Sequence, residues 1–297
     1  MGLPMLATYH HSEFSAEAAL EAKSETVSVC IPARDTGALA GRTVERVMEL
    51  VELGLVEEVL VIDGSEGAET GEAARAAGAE VVREEELLPD AGPALGKGDA
   101  MWRGLSRCTG ELVCFVDSDL YDFEAAHVVA LLAPLFRDEA IAFTKATYER
   151  PLIVGGRELR GEGGRVTELT ARPLLELFFP DAAAFRQPLA GECAGRRWTF
   201  ERIPFCTGYG VEIAMIVDLV ALLGLERMAQ VDLGVRRNPN QSLRNLSEMA
   251  RDVAAALLAR VEGMPGDAAE RAGARLVERP PLAEWAARSG VDSSAAL

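Results

Sequence analysis

Short apolar runs rich in β-branched residues alternate with helix-spaced segments over the first 120 residues, and few folds accommodate that alternation. The segments "VSVCIPA" (27–33), "EEVLVIDGS" (57–65), "AEVVREE" (79–85) and "ELVCFVDSD" (111–119) each read as a strand. Pro32 lacks an N–H and suits a strand end. Between these runs, Val44, Val47, Met48 and Val51 recur at helical spacing, with Gly54 as the stop, and residues 71–78 and 98–107 form shorter helical stretches. Strands separated by single helices pair in parallel, and a parallel sheet needs helices on both faces. The implied fold class is α/β, a mostly parallel, Rossmann-like sheet flanked by helices.

Ligands of such sheets bind beyond the carboxyl ends of the strands. Three of the predicted strands turn polar there, through Arg34-Asp35, Asp63-Gly64-Ser65 and Asp117-Ser118-Asp119. Asp117 and Asp119 repel each other unless something positive sits against them. If the strand continues through them, alternate residues point the same way and both carboxylates share one face. A divalent cation bridging to a diphosphate would relieve the repulsion, because Mg2+ takes one or two carboxylates together with phosphate oxygens. The ordinary alternative is a polar strand end capping a helix near Phe123. Acids on the neighbouring strand ends favour the metal.

Further candidates lie along the chain. "GPALGKGDAMW" resembles a phosphate loop, but only three residues separate Gly92 from Gly96, and Gly98 stands where Ser or Thr is needed. Lys97 at a helix start still suits phosphate oxygens. No GxGxxG is present, which disfavours a dinucleotide dehydrogenase. Arg165 and Thr167 precede a helical run at 167–178 and suit a phosphate or carboxylate. Glu212 heads the apolar helix 210–223, as a dipole partner or a contact to sugar hydroxyls. "LGVRRNPNQ" follows a strand at 228–235 and offers Arg236, Asn238 and Asn240. His10, His11 and His127 show no ligand spacing.

The expected organisation is an N-terminal extension (1–26, with a short helix at 14–23), an α/β part (27–150), a more loosely patterned part (151–262) and a C-terminal tail (263–297). Residues 153–166 hold five glycines and read as a mobile hairpin or loop, a long helix is expected at 243–262, and the tail as partly disordered or a docking arm. The formal charge of −17 repels nucleic acid and anionic membranes. The most apolar helix, "IAMIVDLVALLGL", is 13 residues long and interrupted by Asp218, too short to span a bilayer. Five cysteines without a CxxC pair suit buried free thiols in a reducing compartment, so a cytoplasmic location is expected.

The blocks "IPARD", "VIDGS", "GKGDAMWRGL", "FVDSDL", "GRVTELTARPLL", "QPLAGE", "PFCTGYGVEI" and "AQVDLGVR" occur in an order and spacing that resembles one glycosyltransferase family. Its members make glucosyl- or mannosyl-3-phosphoglycerate, precursors of the compatible solutes glucosylglycerate and mannosylglycerate. The resemblance covers residues 27–262. It implies a GT-A fold with a smaller C-terminal acceptor-binding part, a sugar-nucleotide donor, a 3-phosphoglycerate acceptor, retention of anomeric configuration and a homodimer. It also implies Mg2+ or a similar divalent ion such as Mn2+ or Co2+.

Carried over by position, Pro32, Ala33, Asp35, Ser65 and Lys97 would hold the nucleoside and its phosphates. Asp117 and Ser118 would complete the donor site, with Asp117 on the ribose, and Asp119 would bind the metal. Leu189 and Glu212 would face the donor sugar, and Arg236 the diphosphate. Gly164, Arg165, Thr167 and Asn240 would bind the acceptor. Asn238 stands where the glucosyl enzymes typically carry a histidine metal ligand, and Asp35 replaces an expected glutamate. Both departures lie in the donor half and point toward GDP-mannose rather than UDP-glucose. The first alternative is a glucosyl-3-phosphoglycerate synthase using UDP- or GDP-glucose. A nucleotidyltransferase or a non-catalytic sugar-nucleotide sensor is a more distant one. The former normally has a Gly-rich segment after the first strand, where "PARDTGALAG" has only scattered glycines.

Overall fold

The computed structural model describes residues 6–237, 241–264 and 266–289. Strand β1 (Ala7–His10) and helix α1 (Ala16–Ala22) precede β2 (Val27–Ala33). Then α2 (Ala38–Glu52), β3 (Glu58–Asp63), α3 (Glu69–Ala76), β4 (Glu80–Arg83), α4 (Lys97–Leu105) and β5 (Leu112–Phe115) follow in the predicted alternation. Beyond them lie α5 (Ala125–Arg137), β6 (Phe143–Glu149), β7 (Leu152–Val154), β8 (Arg157–Leu159), α6 (Arg172–Phe178) and β9 (Cys193–Arg196). Next come α7 (Arg197–Glu201), β10 (Phe205–Cys206), α8 (Val211–Leu223) and β11 (Met228–Val235). Helix α9 (Leu243–Leu258), α10 (Gly266–Arg275), β12 (Glu278–Arg279) and α11 (Leu282–Ser289) follow.

Eight strands form one sheet in the order β1-β11-β6-β9-β5-β2-β3-β4. Only β9 reverses direction, running antiparallel to both β5 and β6, while the remaining neighbours are parallel. Successive strand residues face opposite ways. Thus Val29, Ile31 and Val61 join one core with α2 and α5, while Cys30, Leu60 and Ile62 join the other with α4 and α8. Burying each such aliphatic side chain contributes roughly 1.5–3 kcal/mol.

The carboxyl ends of β2, β3, β5, β6 and β11 all emerge at one edge. Because β9 is reversed, it begins there, which brings residues 189–192 to the same edge. Residues 7–10, inside the expected N-terminal extension, form the edge strand β1 on β11. The glycine-rich stretch after residue 150 folds into the β7–β8 hairpin. Residues 278–279 pair with β10, and Trp285 packs edge-on against Trp102 with ring centroids 5.5 Å apart. All five cysteines are buried and free. Among the described residues, no helix is long and apolar enough to cross a membrane.

Candidate active site

The β2 and β3 ends form one wall. Asp35 adopts a left-handed backbone (φ 54°), which an aspartate tolerates better than most side chains. Two hydrogen bonds hold it there. Its N–H donates to Ser65 Oγ (2.8 Å), and Glu66 N–H donates to Asp35 Oδ1 (3.3 Å). Ser65 N–H in turn donates to Asp63 Oδ1 (3.0 Å), and Arg83 Nη1 pairs with Asp63 Oδ2 at 3.2 Å. Parallel pairing of Pro32 with Ile62 and Ala33 with Asp63 sets these loops side by side. Pro32, Ala33, Asp35 and Ser65 are therefore neighbours.

The opposite wall is the start of α4. A Cβ added to Gly98 would fall 1.7 Å from the Cys206 carbonyl oxygen, so only glycine lets α4 begin flush against β10. That close approach brings Lys97 beside the head of α8. Its Nζ lies 2.6 Å from Asp117 Oδ1 and 2.7 Å from Glu212 Oε1. Burial works against the lysine's charge, but the Asp117 and Glu212 carboxylates outweigh it and hold the pKa well above the usual range. The cation against Asp117 is thus Lys97.

Strand β5 ends at Phe115, so Asp117 and Asp119 lie in the following loop rather than on one strand face, contrary to the alternation expected of a continuing strand. Asp117 turns inward to Lys97, and Asp119 stands at the rim. Desolvation within the loop, then the Asp117 charge, raises the Asp119 pKa, with Lys97 opposing. Ser118 is buried and accepts a 3.4 Å hydrogen bond from Thr36 Oγ1, which ties this loop to the β2 end.

Beneath the loop lies a pair of which the sequence pointed to Arg236 but not to its partner Glu192. Glu192 and Arg236 are 1% and 2% exposed, with Arg236 Nη2 3.4 Å from Glu192 Oε1. Arg236 Nη1 donates to the Asp122 carbonyl (2.7 Å), and its guanidinium lies about 6 Å from the Phe123 and Tyr148 ring centres. Arg236 Nε and Nη2 and both Glu192 oxygens have no hydrogen-bond partner among the described residues. Burial and the Asp117 charge push the Glu192 pKa up, against the pull of Arg236. Gly191 meets Asp117 so closely that a Cβ would lie 2.2 Å from its Oδ2. The signal for Glu192 was a Gly-Glu step just before a short apolar run.

A cavity of about 100 Å³ adjoins this cluster, lined by Arg150, Gly164, Arg165, Thr167, Leu189 and Gln241 among others. Gly164 takes a left-handed turn (φ 63°) ahead of the π-helical turn Thr167–Ala171, and Arg165 Nη2 donates to the Gln241 carbonyl (3.1 Å). Two arginines in one cleft reverse the acidic field locally and suit an anion. Leu189 lines this cavity, while Gly191 and Glu192, two and three residues on, adjoin Asp117 and Arg236. Gly164, Arg165 and Thr167 thus share one pocket with Leu189, next to the Lys97 cluster. Asn238 and Asn240 lie outside the described residues.

Residues 28–151 match the family model for Glycosyl transferase family 2. A glucosyl-3-phosphoglycerate synthase of Mycolicibacterium smegmatis is 46% identical over 235 residues, covering 79% of this chain and 77% of that protein. The crystal structure of mannosyl-3-phosphoglycerate synthase from Rubrobacter xylanophilus superposes with a TM-score of 0.81 at 37% identity, covering 94% and 97% of the two chains. Glucosyl-3-phosphoglycerate synthase from Mycobacterium tuberculosis, solved with Mn2+, uridine diphosphate and glucosyl-3-phosphoglycerate, gives 0.81 at 36% identity, covering 94% and 99%. The mostly parallel sheet with one reversed strand is the GT-A architecture of these enzymes. The chain belongs to the glucosyl-3-phosphoglycerate and mannosyl-3-phosphoglycerate synthase family and is a glycosyltransferase.

Proposed function

We propose that this chain transfers glucose from UDP-glucose to the free hydroxyl of 3-phosphoglycerate, with retention of configuration. One observation carries the reading. The Lys97–Asp117–Glu212 cluster and the arginine-lined cavity meet across residues 189–192, so a donor diphosphate and a phosphorylated acceptor can lie side by side. The lean toward GDP-mannose gives way, because curated relatives from 37% to 46% identical bear the glucosyl name and the M. tuberculosis enzyme was solved with UDP-glucose. The mannosyl reading remains second, supported by the likeness to the R. xylanophilus enzyme.

The residues present fit a hard divalent cation. Asp119 offers a rim carboxylate whose proton affinity is raised by its crowded, acidic surroundings. Among the described residues no three His, Cys, Asp or Glu side chains group as a ligand set, so phosphate oxygens would complete the shell, as Mg2+ and Mn2+ accept. Held by Asp119, with Asp117 adjacent, the ion would supply Lewis-acid stabilisation of the departing diphosphate. Lys97 and the Arg236 guanidinium, which is paired with Glu192 but not fully hydrogen-bonded, add positive charge beside the leaving phosphate as it gains negative charge.

Arg165 and Thr167 hold the acceptor's phosphate and present its hydroxyl to the sugar on the face the nucleotide leaves. The hydroxyl proton passes to the leaving phosphate. Glu212, already paired with Lys97, serves to orient rather than to attack.

The reading is tested by incubating 3-phosphoglycerate with UDP-glucose, GDP-glucose and GDP-mannose in parallel, each with and without Mg2+. Metal-dependent product, fastest from UDP-glucose, is expected. Faster product from GDP-mannose would make this a mannosyl synthase, and no transfer from any donor would overturn the reading.

A further inference from the structure

The segment 276–285 lies far along the chain from every residue placed in the site, yet it grips the two stretches that meet at Lys97. Arg279 makes a forked pair with the fully buried Asp99, Nε to Oδ1 at 2.6 Å and Nη2 to Oδ2 at 3.0 Å. Such bidentate pairs fix orientation as well as charge. Asp99 is two residues past Lys97, in the first turn of α4, and its Oδ2 also accepts from Leu95 N–H (2.9 Å) and Arg103 Nε (3.1 Å).

Arg279 donates onward to the carbonyls of Ala91 and Pro93, the latter at 2.9 Å. Arg103 donates to the Leu88, Gly92 and Pro93 carbonyls at 3.1, 2.7 and 3.3 Å. The loop 88–95 thus hangs from two guanidinium forks. These replace the regular backbone pairing that an irregular loop does not supply. Trp102 seals the joint, donating to the Pro280 carbonyl at 2.9 Å beneath the Arg279 guanidinium.

The same segment holds the other stretch. Strand β12 pairs with β10, and Thr207 N–H donates to the Val277 carbonyl at 2.9 Å. Thr207 then accepts from Gly98 N–H at 3.1 Å. Five residues after Thr207 stands Glu212, the partner of Lys97.

We infer that residues 276–285 are a clamp that seats Lys97 in the donor site, with Arg279 as its positioning residue. The inference rests on the proposed donor site for its kinetic consequence. Its structural consequence, a Lys97 turn held by Arg279, stands without it.

The experiment is a double-mutant cycle in the full chain, pairing Arg279→Met with Lys97→Ala, combined with hydrogen exchange of the substrate-free protein. Arg279→Met is expected to lower kcat/KM for UDP-glucose about 10- to 100-fold, the scale of a displaced positioning group. KM for 3-phosphoglycerate should stay within about twofold. In the Lys97→Ala background the same change should cost less than about twofold more, because its target is gone. Exchange should quicken at residues 95–101, with β2 and β3 unchanged. Arg279→Lys, which keeps the charge without the fork, should fall between and covers the case of a poorly folding methionine variant.

Equal fold losses in both backgrounds, or quickened exchange confined to residues 276–289, would overturn the clamp. The exchange arm uses no substrate. A wrong donor assignment would therefore appear as absent turnover beside an intact exchange result.

Discussion

At the scale of single residues, the site is an arrangement of close approaches that small changes disturb. Asp117 rests against the Gly191 backbone, and an added methyl would sit 2.2 Å from its carboxylate. Gly191→Ala is therefore expected to push Asp117 off Lys97 and lower kcat/KM about 100-fold, with stability changed by only about 1 kcal/mol. Steady-state kinetics beside urea unfolding separates the two effects. Glu192→Gln acts on the other balance. It removes the buried counter-charge of Arg236 and is expected to lower stability by roughly 3 kcal/mol, read from urea midpoints. Lys97 was legible as a Gly-flanked cation for phosphate. Its pairing with Asp117 and Glu212 was not, because these partners come from the loop after β5 and the head of α8, and contacts made by the fold leave no trace in local spacing.

At the scale of elements, legibility followed chemical uniformity. Strands β2, β3 and β5 are continuous apolar runs because helices cover both faces, and they begin where the pattern puts them, although β5 stops at Phe115, short of Asp117. Strand β6, "FTKATYE", was silent because its buried positions include Thr144, Lys145 and Thr147. Each polar group needs a specific partner that only the fold provides. Thr144 Oγ1 donates to the Leu131 carbonyl at 2.7 Å, and Lys145 Nζ donates to the Ala190 carbonyl. Strand β9 is four residues containing Ala-Gly, too short and small to declare itself, yet its reversal delivers Leu189 and Glu192 to the site.

Helix α5 adds a pH response. His127 Nδ1 accepts from Glu124 N–H at 2.9 Å, completing a capping box that exists only while that nitrogen is unprotonated. Burial, then the charges of Arg236 and His11, lowers its pKa to about 3. The unfolded chain takes up this proton near pH 6.5 and the folded one does not. This contribution to stability is therefore whole above pH 6.5 and is lost as pH falls toward 3, by roughly 2 kcal/mol at pH 5. Urea unfolding at pH 7.5 and 5.0 checks it, and the difference attributable to this group should vanish in His127→Gln.

At the scale of the whole molecule, a chain of net charge −17 must gather cations where its anionic substrates bind. It does so with Lys97 and Arg236 on one side and Arg150 and Arg165 on the other. Arg165→Ala is expected to raise KM for 3-phosphoglycerate at least about 10-fold while leaving KM for UDP-glucose nearly unchanged, as loss of one charge-assisted contact implies. The reverse pattern would exchange the two halves of the cleft. The two halves draw on interleaved sequence segments, Lys97 and Arg236 flanking Arg150 and Arg165 along the chain. They join only because the parallel strands end, and the single reversed strand begins, along one edge of the sheet.

The account is tested most directly by a crystal structure of the protein with UDP, Mn2+ and 3-phosphoglycerate. The expected result places the diphosphate against Asp119 and Lys97, and the phosphoglycerate phosphate within hydrogen-bond reach of Arg165 and Thr167, with residues 189–192 between them. Nucleotide density away from the Asp117–Asp119 loop, or phosphoglycerate bound outside the arginine-lined cavity, would contradict it.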